Sequence, residues 1–484
     1  MTSMNWILGA IVVIPALLLA AYAVNLYTLL WLYRRRRNTP QPVPSLPADD
    51  ACPRVVTQLP VYNEFNVIER AMRAAVAIRY PQGKHVVQVL DDSTDDTRER
   101  IDAVAAELQA AGHAITVVRR PHREGFKAGA LEAGMAADPA PFYAIFDADF
   151  VPTPDFLERT IPVMLAAEKM GLVQARWGHL NRDESLLTRA QSVGIDGHFG
   201  IEQPARAWNN LFMNFNGTAG LWRTAAIADA GGWEHDTLTE DMDLSYRAQL
   251  AGWKPHFDHT LVVPAELPDD IDAFKSQQFR WAKGSMQTAI KLLPRVLRAE
   301  EGFVAKWQAF FHMTHYTIHP LMVWMALAAY PVLRFLDLDQ YPMAFPAVLA
   351  ILVTAFIAPS LLYATALRDL YPKGKRGPWI IPFLSIVGIG IALSNTRAVF
   401  EAWTGKQSPF VRTPKKGDQT ERTYRVSMPW LGFFEVLVGG WCLFTSVQYM
   451  QDTRTLAVPF LLLYAAGFLC VGLLSIRNRF RSAA

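Results

Sequence analysis

Cysteine is scarce in this sequence: three residues, Cys52, Cys442 and Cys470, in a chain of 484. None stands in a Cys-x-x-Cys or Cys/His pattern, which excludes a disulfide framework and a cysteine-built metal site. Cys442 and Cys470 fall in apolar runs and read as buried thiols. An excess of one charge is missing too. The 47 Lys and Arg offset 44 Asp and Glu, leaving a formal net charge of +3, which argues against a nucleic-acid binder that works through a general basic surface. Charged residues make up only 19% of the chain and hydrophobic ones 51%, a balance that leans toward a membrane protein. No internal repeat or low-complexity tract stands out.

What is present is a set of long apolar runs. Trp6 to Tyr33 carries no charge and exceeds the ~20 residues a helix needs to cross a bilayer. Arg34 to Arg37 follow directly. A secretory signal would put its charge first and have a shorter apolar core, so residues 1–37 read as an uncleaved anchor with the arginines on the cytoplasmic side. Residues 38–53 form a Pro- and Asp-rich linker. Four further spans are expected at 315–335, 344–366, 427–449 and 456–476. The basic stretches 368–377 and 405–416 and the tail Arg477, Arg479 and Arg481 all read as cytoplasmic. That leaves Pro378–Asn395 as a re-entrant or interfacial segment, with a plain sixth span as the alternative.

Residues 54–300 have the composition of a soluble α/β domain. Val55–Leu59, Val86–Leu90, Val117–Arg119 and Tyr143–Phe146 read as strands; Phe65–Arg79 and Asp96–Ala111 read as helices between them. The alternation predicts a mostly parallel sheet with right-handed crossovers. Ligands of such sheets sit beyond the carboxyl ends of the strands, and two acidic clusters fall there. Asp91 and Asp92 end one strand, where Ser93 or Asp95 also serves as a helix cap. Asp147-Ala-Asp149 ends another. Alternate residues of an extended chain point the same way, so both carboxylates can face one hard cation, Mg2+ or Mn2+.

A third cluster, Thr239-Glu240-Asp241-Met-Asp243, opens a helix over Asp241–Ala251. Asp241 is the candidate base for removing a proton from an acceptor hydroxyl. The fourth is Gln277-Gln-Phe-Arg280-Trp281, either an interfacial anchor or a group in which Arg280 neutralises a leaving diphosphate and Trp281 stacks on a sugar. His312, His315 and His319 recur at helical spacing and read as polar groups facing a sugar-filled channel rather than as a metal site. Asn216-Gly-Thr218 matches a glycosylation pattern, but its small residues better suit close approach of the backbone to an acceptor.

In this order and membrane context, the four elements resemble glycosyltransferase family 2, the cellulose synthase superfamily, whose pattern is D, D-x-D, [T/E]-E-D and Q-x-x-R-W. The likeness is closest to cellulose-synthase-like mannan and glucan synthases. It extends to Gln58-Leu-Pro-Val-Tyr-Asn-Glu64, Gln88-Val-Leu-Asp-Asp-Ser-Thr94, Lys127-Ala-Gly-Ala-Leu131, Val173-Gln-Ala-Arg-Trp177 and Asn216-Gly-Thr-Ala-Gly220. The resemblance implies a GT-A-type nucleotide-sugar-binding domain with a mixed, mostly parallel sheet, fused to a multi-span helical membrane domain over 301–484. It implies that Asp91 and Asp92 contact the nucleotide, Lys127 the diphosphate, and Asp147 and Asp149 the metal. Glu240 and Asp241 are then catalytic, Arg280 binds the donor, and Gln277 and Trp281 hold the acceptor. Phe410-Val-Arg-Thr-Pro-Lys415, within the 405–418 stretch, resembles the family's F-x-V-T-x-K gating loop but departs from it at Arg412.

The expected activity is inverting transfer from a metal-bound nucleotide-sugar, with UDP-glucose favoured over GDP-mannose. The product is a β-glycan that the enzyme builds processively and translocates. Two rivals are a non-processive glycolipid-forming transferase and a sugar-binding transporter or receptor. The partners implied are the donor, a growing glycan or lipid acceptor, membrane lipids and an accessory export subunit, and none is a nucleic acid. The protein is expected in the plasma or inner membrane, with a Golgi membrane as the alternative.

Overall fold

The computed structural model describes residues 3–39, 44–336, 343–407, 413, 415–417 and 429–483. Its centre is a seven-stranded sheet: β1 (Val55–Val61), β2 (His85–Asp91), β3 (Ile115–Val118), β4 (Phe142–Ile145), β5 (Met170–His179), β6 (Gly220–Arg223) and β7 (Lys254–Ala265), in the order β3-β2-β1-β4-β6-β5-β7. β6 runs antiparallel to both of its neighbours, and every other pairing is parallel. Helices cover both faces, so the strands are near-continuous apolar runs: Val55, Leu59, Val89, Phe142 and Ala144 are all fully or almost fully buried.

Two polar residues interrupt those runs, and the register explains them. Gln58 and Gln88 are direct partners on β1 and β2. Gln58 Nε2 donates to Gln88 Oε1 at 3.0 Å, and Gln88 Nε2 donates to the Gly134 carbonyl at 3.0 Å. A Cβ on Gly134 would lie 2.4 Å from Gln88 Oε1, so only glycine lets the Phe126–Ala137 helix close on this ladder. Both glutamines spend their amide N–H groups inside the core, on each other and on the Leu131 and Gly134 carbonyls, and neither lines the site.

Among the described residues there are five helices or helix runs long and apolar enough to cross a membrane: Gly9–Arg36, Phe303–Phe335, Ala344–Leu370, Trp430–Gln451 and Thr455–Arg479. The second starts twelve residues before the expected 315, because Phe303–Thr314 and Ile318–Phe335 join through one 3-10 turn. Pro378–Asn395 falls on two helices, Ile380–Gly390 and Ala392–Trp403, bent by 45° at their junction. This pair packs against the Leu186–Gly197 and Ile271–Arg298 helices of the catalytic domain.

The Ile271–Arg298 helix joins the two halves. The Asp270 side chain caps it, accepting from the Asp272 and Ala273 N–H groups at 2.8 and 3.2 Å. Its Lys275 and Glu435 of the Pro429–Gln451 helix are fully buried and 2.8 Å apart, with Ser475 also accepting from Lys275 at 3.2 Å. Lys275→Met strands a buried carboxylate and is expected to destabilise the protein by about 3–5 kcal/mol. Adding Glu435→Leu should recover most of that loss, read as thermal unfolding in detergent.

Candidate active site

The strand order brings the carboxyl ends of β1, β2 and β4 together, and the loops that follow them wall a pocket of about 200 Å3. Asp92, Lys127, Asp147, Asp149, Glu240, Asp241, Gln277, Arg280 and Trp281 all line it. Asp91 does not. It is buried, accepting from the Ser93 N–H at 2.9 Å and from Arg119 Nε at 2.7 Å. Of the adjacent pair only Asp92 faces the pocket, and Arg120 holds it with hydrogen bonds of 3.0 and 2.5 Å. The two acids alternate sides along the chain, and the partner waiting on each side decides which one is available.

Asp147 and Asp149 leave β4 in a turn closed by the Phe150 N–H on the Asp147 carbonyl at 3.0 Å. The Asp147 N–H donates to Thr218 Oγ1 at 2.9 Å. Each carboxylate faces an ammonium: Lys127 on Asp147, and Lys415 on Asp149 at 2.8 Å. Two hard oxygen donors beside a pocket that also holds Lys127 and Arg280 are the residues that would hold a divalent ion on a diphosphate, in place of the Lys415 ammonium that now rests on Asp149. The group of three or more carboxylates that converges among the described residues is not this pair but Glu234, Asp236 and Asp243. The Lys291 ammonium occupies it, 2.7 Å from Asp236 and 3.0 Å from Asp243 and paired to Glu234, so it is a salt-bridge network.

Glu240 and Asp241 begin the Glu240–Leu250 helix. The Asp241 carboxylate accepts from the Met242 N–H at 2.7 Å. Burial, and then the neighbouring Glu240 charge, push its pKa up to about 8. Burial raises Glu240 as well, with Lys127 opposing. Burial alone would lower the Lys127 ammonium, but Asp147, Glu240 and Asp241 outweigh it and the net shift is upward. Lys127 Nζ also donates to the Gly217 carbonyl at 2.8 Å. Gly217 has φ +82, and a Cβ there would lie 3.0 Å from Asp241 Oδ2. The Asn216-Gly-Thr218 motif therefore makes room for the Asp241 carboxylate.

Arg280 projects from the Ile271–Arg298 helix and donates to Thr413 Oγ1 at 2.8 Å. Lys415 reaches the Glu266 carbonyl at 2.5 Å, and Glu266 accepts from the Lys416 and Gly417 N–H groups. Thr413 and Lys415 of the gating-like motif thus meet the site, while Phe410, Val411, Arg412 and Pro414 lie outside the described residues. The long helix comes this close because Gly284 has no side chain. A Cβ there would lie 2.5 Å from Thr239 Cγ2 and 2.8 Å from the Thr239 nitrogen. Gly284→Ala must shift Thr239-Glu240-Asp241, and a displacement of about 1 Å costs roughly 10²-fold in kcat. Steady-state kinetics should show that fall with the donor KM little changed.

Sequence reasoning missed three contributors. Arg120 fixes Asp92. Glu266 anchors the 415–417 segment. His179 lines the pocket and is hydrogen-bonded through Nε2 to Asp196 at 2.9 Å, while Tyr371 donates to the same carboxylate at 2.7 Å. All three act through partners distant in sequence. His179, at the end of β5, and Glu266, directly after β7, carried a positional signal, and Arg120 did not.

A second cavity, about 820 Å3, runs from the site between the apolar helices. Asp241, Asn216, Gln277, Trp177 and Trp281 line both spaces. The sequence-predicted acceptor residues and the candidate base therefore stand at the junction between them. His312, His315 and His319 line the second cavity. His312 pairs with Tyr246 at 2.8 Å and His319 with Asn395 at 3.0 Å.

Comparison with known proteins agrees with this geometry. The family model described as "Glycosyltransferase like family 2" matches residues 53–284. Glucomannan 4-beta-mannosyltransferase 7 of Arabidopsis thaliana is 34% identical over 435 residues, covering 87% of this chain and 76% of that protein. Glucomannan 4-beta-mannosyltransferase 1 of Oryza sativa subsp. japonica is 42% identical over 277 residues, covering 55% of this chain and 53% of that protein. A mannosyltransferase from Pyrobaculum calidifontis, solved in complex with GDP-Man and Mn2+, aligns with 83% of this chain and 100% of its own at a TM-score of 0.52 and 21% identity, a likeness of fold. The chain belongs to glycosyltransferase family 2, as a nucleotide-sugar-dependent, mannan-synthase-like glycosyltransferase with a GT-A-type catalytic domain and several helices long and apolar enough to span a membrane.

Proposed function

We propose that the protein is a membrane-embedded, inverting β-mannosyltransferase that uses GDP-mannose, lengthens a β-glycan processively and passes it along the second cavity. The observation that carries this reading is the position of Asp241, whose residue lines both the donor pocket and the long cavity. The names of the relatives favour mannose, against the expectation of UDP-glucose. The ionised Asp241 carboxylate takes the proton from an acceptor hydroxyl resting against Trp281. That oxygen attacks the anomeric carbon from the side opposite the diphosphate, and the bond to the diphosphate breaks, so an α-linked donor gives a β-linkage. Lys127 and Arg280 receive the charge that develops on the leaving group. Asp147 and Asp149 would hold Mg2+ or Mn2+, which when bound polarises the diphosphate.

The catalytic domain is assigned to the cytoplasmic side. Arg37 pairs with Asp369 at 3.0 Å, and Asn478 donates to Asp270 at 2.6 Å. These contacts bring the basic ends of three helices to the catalytic-domain side, the distribution of cytoplasmic loops. The direct test supplies purified protein and Mn2+ with GDP-mannose and UDP-glucose in parallel and measures nucleoside diphosphate release. Preferential release of GDP is expected. Preferential release of UDP would reject mannose as the sugar, and release of neither would reject the transferase reading.

A further inference from the structure

The long cavity changes character along its length. Next to the junction it has a polar collar, with His198, Glu202, Arg206, His315 and His319 on its wall. His198 and Glu202 sit on a π-helical turn, His198–Glu202, a local irregularity frequent at functional sites. Three collar residues, each more than nine-tenths buried, carry a polar atom with no hydrogen-bond partner: Asn25 Oδ1, Arg206 Nε and His319 Nδ1. Such groups are costly unless a ligand satisfies them. Beyond the collar the wall is mainly hydrocarbon, interrupted by Tyr464 and by Tyr449, whose hydroxyl donates to the Ala329 carbonyl at 3.0 Å. On the Ile318–Phe335 helix, Met322, Met325, Ala329, Val332 and the adjoining Leu336 follow His319 along the cavity. Seventeen residues at 1.5 Å each carry the lining about 25 Å past the collar, close to the ~30 Å hydrocarbon core of a bilayer. Leu349, Leu352 and Phe356 face it from the Ala344–Leu370 helix, and Phe460 and Leu461 from the Val458–Ala483 helix. The charged residues of the whole cavity, Glu202, Arg206 and Asp241, stand at or below the collar.

A short free saccharide finds hydrogen-bonding partners in the collar alone and leaves the apolar stretch unfilled. A ligand with a hydroxylated head and a hydrocarbon tail satisfies both parts of the wall. We infer that the first acceptor is a lipid-linked sugar: its saccharide lies in the collar with a hydroxyl at Asp241, and its acyl or prenyl tail fills the apolar chamber. In the first transfer that hydroxyl oxygen bonds to the anomeric carbon of the donor, the carbon–diphosphate bond breaks, and the hydroxyl proton passes to Asp241. The tail can then withdraw between the surrounding spans into the bilayer as the glycan lengthens behind it. This inference rests on the transferase reading above and adds to it the class of acceptor that starts the chain.

The chamber can be plugged without disturbing the site. A Cβ on Gly388, which lines the cavity in the Ile380–Gly390 helix, meets nothing within 4 Å, so Gly388→Phe grows into open space; Ala355→Phe does the same from the Ala344–Leu370 wall. The probes are methyl and octyl β-mannoside, with transfer and GDP release measured together in wild type and both variants. Each buried methylene strengthens binding about fourfold, so wild type should show a KM for the octyl acceptor at least about tenfold below the methyl one. Both plugs should raise the octyl KM toward the methyl value, while the methyl KM, read from the initial rate of the first transfer, stays at its wild-type value. Equal KM values in wild type, or a preference that survives both plugs, would overturn the lipid inference while GDP release keeps the transferase reading intact. If neither GDP-mannose nor UDP-glucose is turned over, the underlying reading falls and takes this one with it.

Discussion

Asp241→Asn is expected to lower kcat by about 10²–10⁴-fold, the range for loss of a positioned general base, with donor affinity by calorimetry nearly unchanged. The asparagine keeps the shape and the contact with the Met242 N–H but cannot take a proton. The same carboxyl should set the pH dependence of the wild type. Its pKa stands near 8 rather than the ordinary 3.8, so in the ligand-free protein it carries a proton below about pH 8 and is a competent base only above. Activity should therefore rise with pH through that region and level off. Because Glu240 interacts with Asp241, the apparent value belongs to the pair.

A stability effect follows with a definite sign. With the folded pKa above the unfolded one, the folded state holds a proton that the unfolded chain has lost, and this contribution is present at low pH and lost as pH rises through about 8. Asp241→Asn removes the buried charge, so its Tm should exceed that of the wild type at pH 8, with the two converging near pH 4. An activity loss with a raised Tm would mark the residue as catalytic rather than structural.

Asp149→Ala is the second large expectation. It should lower kcat by roughly 10³-fold, several kcal/mol of charge stabilisation at the leaving diphosphate, and chelation of divalent cations should reduce wild-type activity to a similar level. Activity alone would not separate metal binding from misfolding, so the readout is the Mn2+ electron paramagnetic resonance signal. Free Mn2+ titrated with wild type plus GDP should lose signal as it binds; titrated with Asp149→Ala it should not. Lys415 gives a control, because its ammonium rests on Asp149 at 2.8 Å. Lys415→Ala removes a competing cation and should tighten Mn2+ binding rather than weaken it.

Much of the catalytic domain was legible in the sequence because burial on both faces of a parallel sheet writes strands as plain apolar runs. Val55–Leu59 and Val86–Leu90 lie within β1 and β2 of the observed sheet. The acids were legible because carboxylates directly after such runs have no role in the core. What stayed hidden depends on partners far away in the chain. Nothing local tells Asp91 from Asp92; Arg119 and Arg120, 28 residues on, claim one each and leave only the second on the pocket. Gln58 and Gln88 sit inside conserved-looking motif text, yet their register makes them a core ladder. The long cavity could not be read at all, since its wall is assembled from five spans, the bent helix pair that carries Gly388, one π-helical turn and the Leu186–Gly197 and Ile271–Arg298 helices. The early start of the Phe303–Phe335 span was obscured by His312, His315 and the polar residues around them, which break the apolar signal at the height where the cavity needs them.

The account turns on Asp241 directing a β-linkage onto a chain held at the mouth of the cavity. The most direct measurement feeds purified protein Mn2+ and radiolabelled GDP-mannose, sizes the product, and digests it with an endo-β-mannanase and with an α-mannosidase. The account predicts a high-molecular-weight product that the endo-β-mannanase degrades and the α-mannosidase leaves intact. A product cleaved by the α-mannosidase, or one that never exceeds a single added sugar, would contradict it.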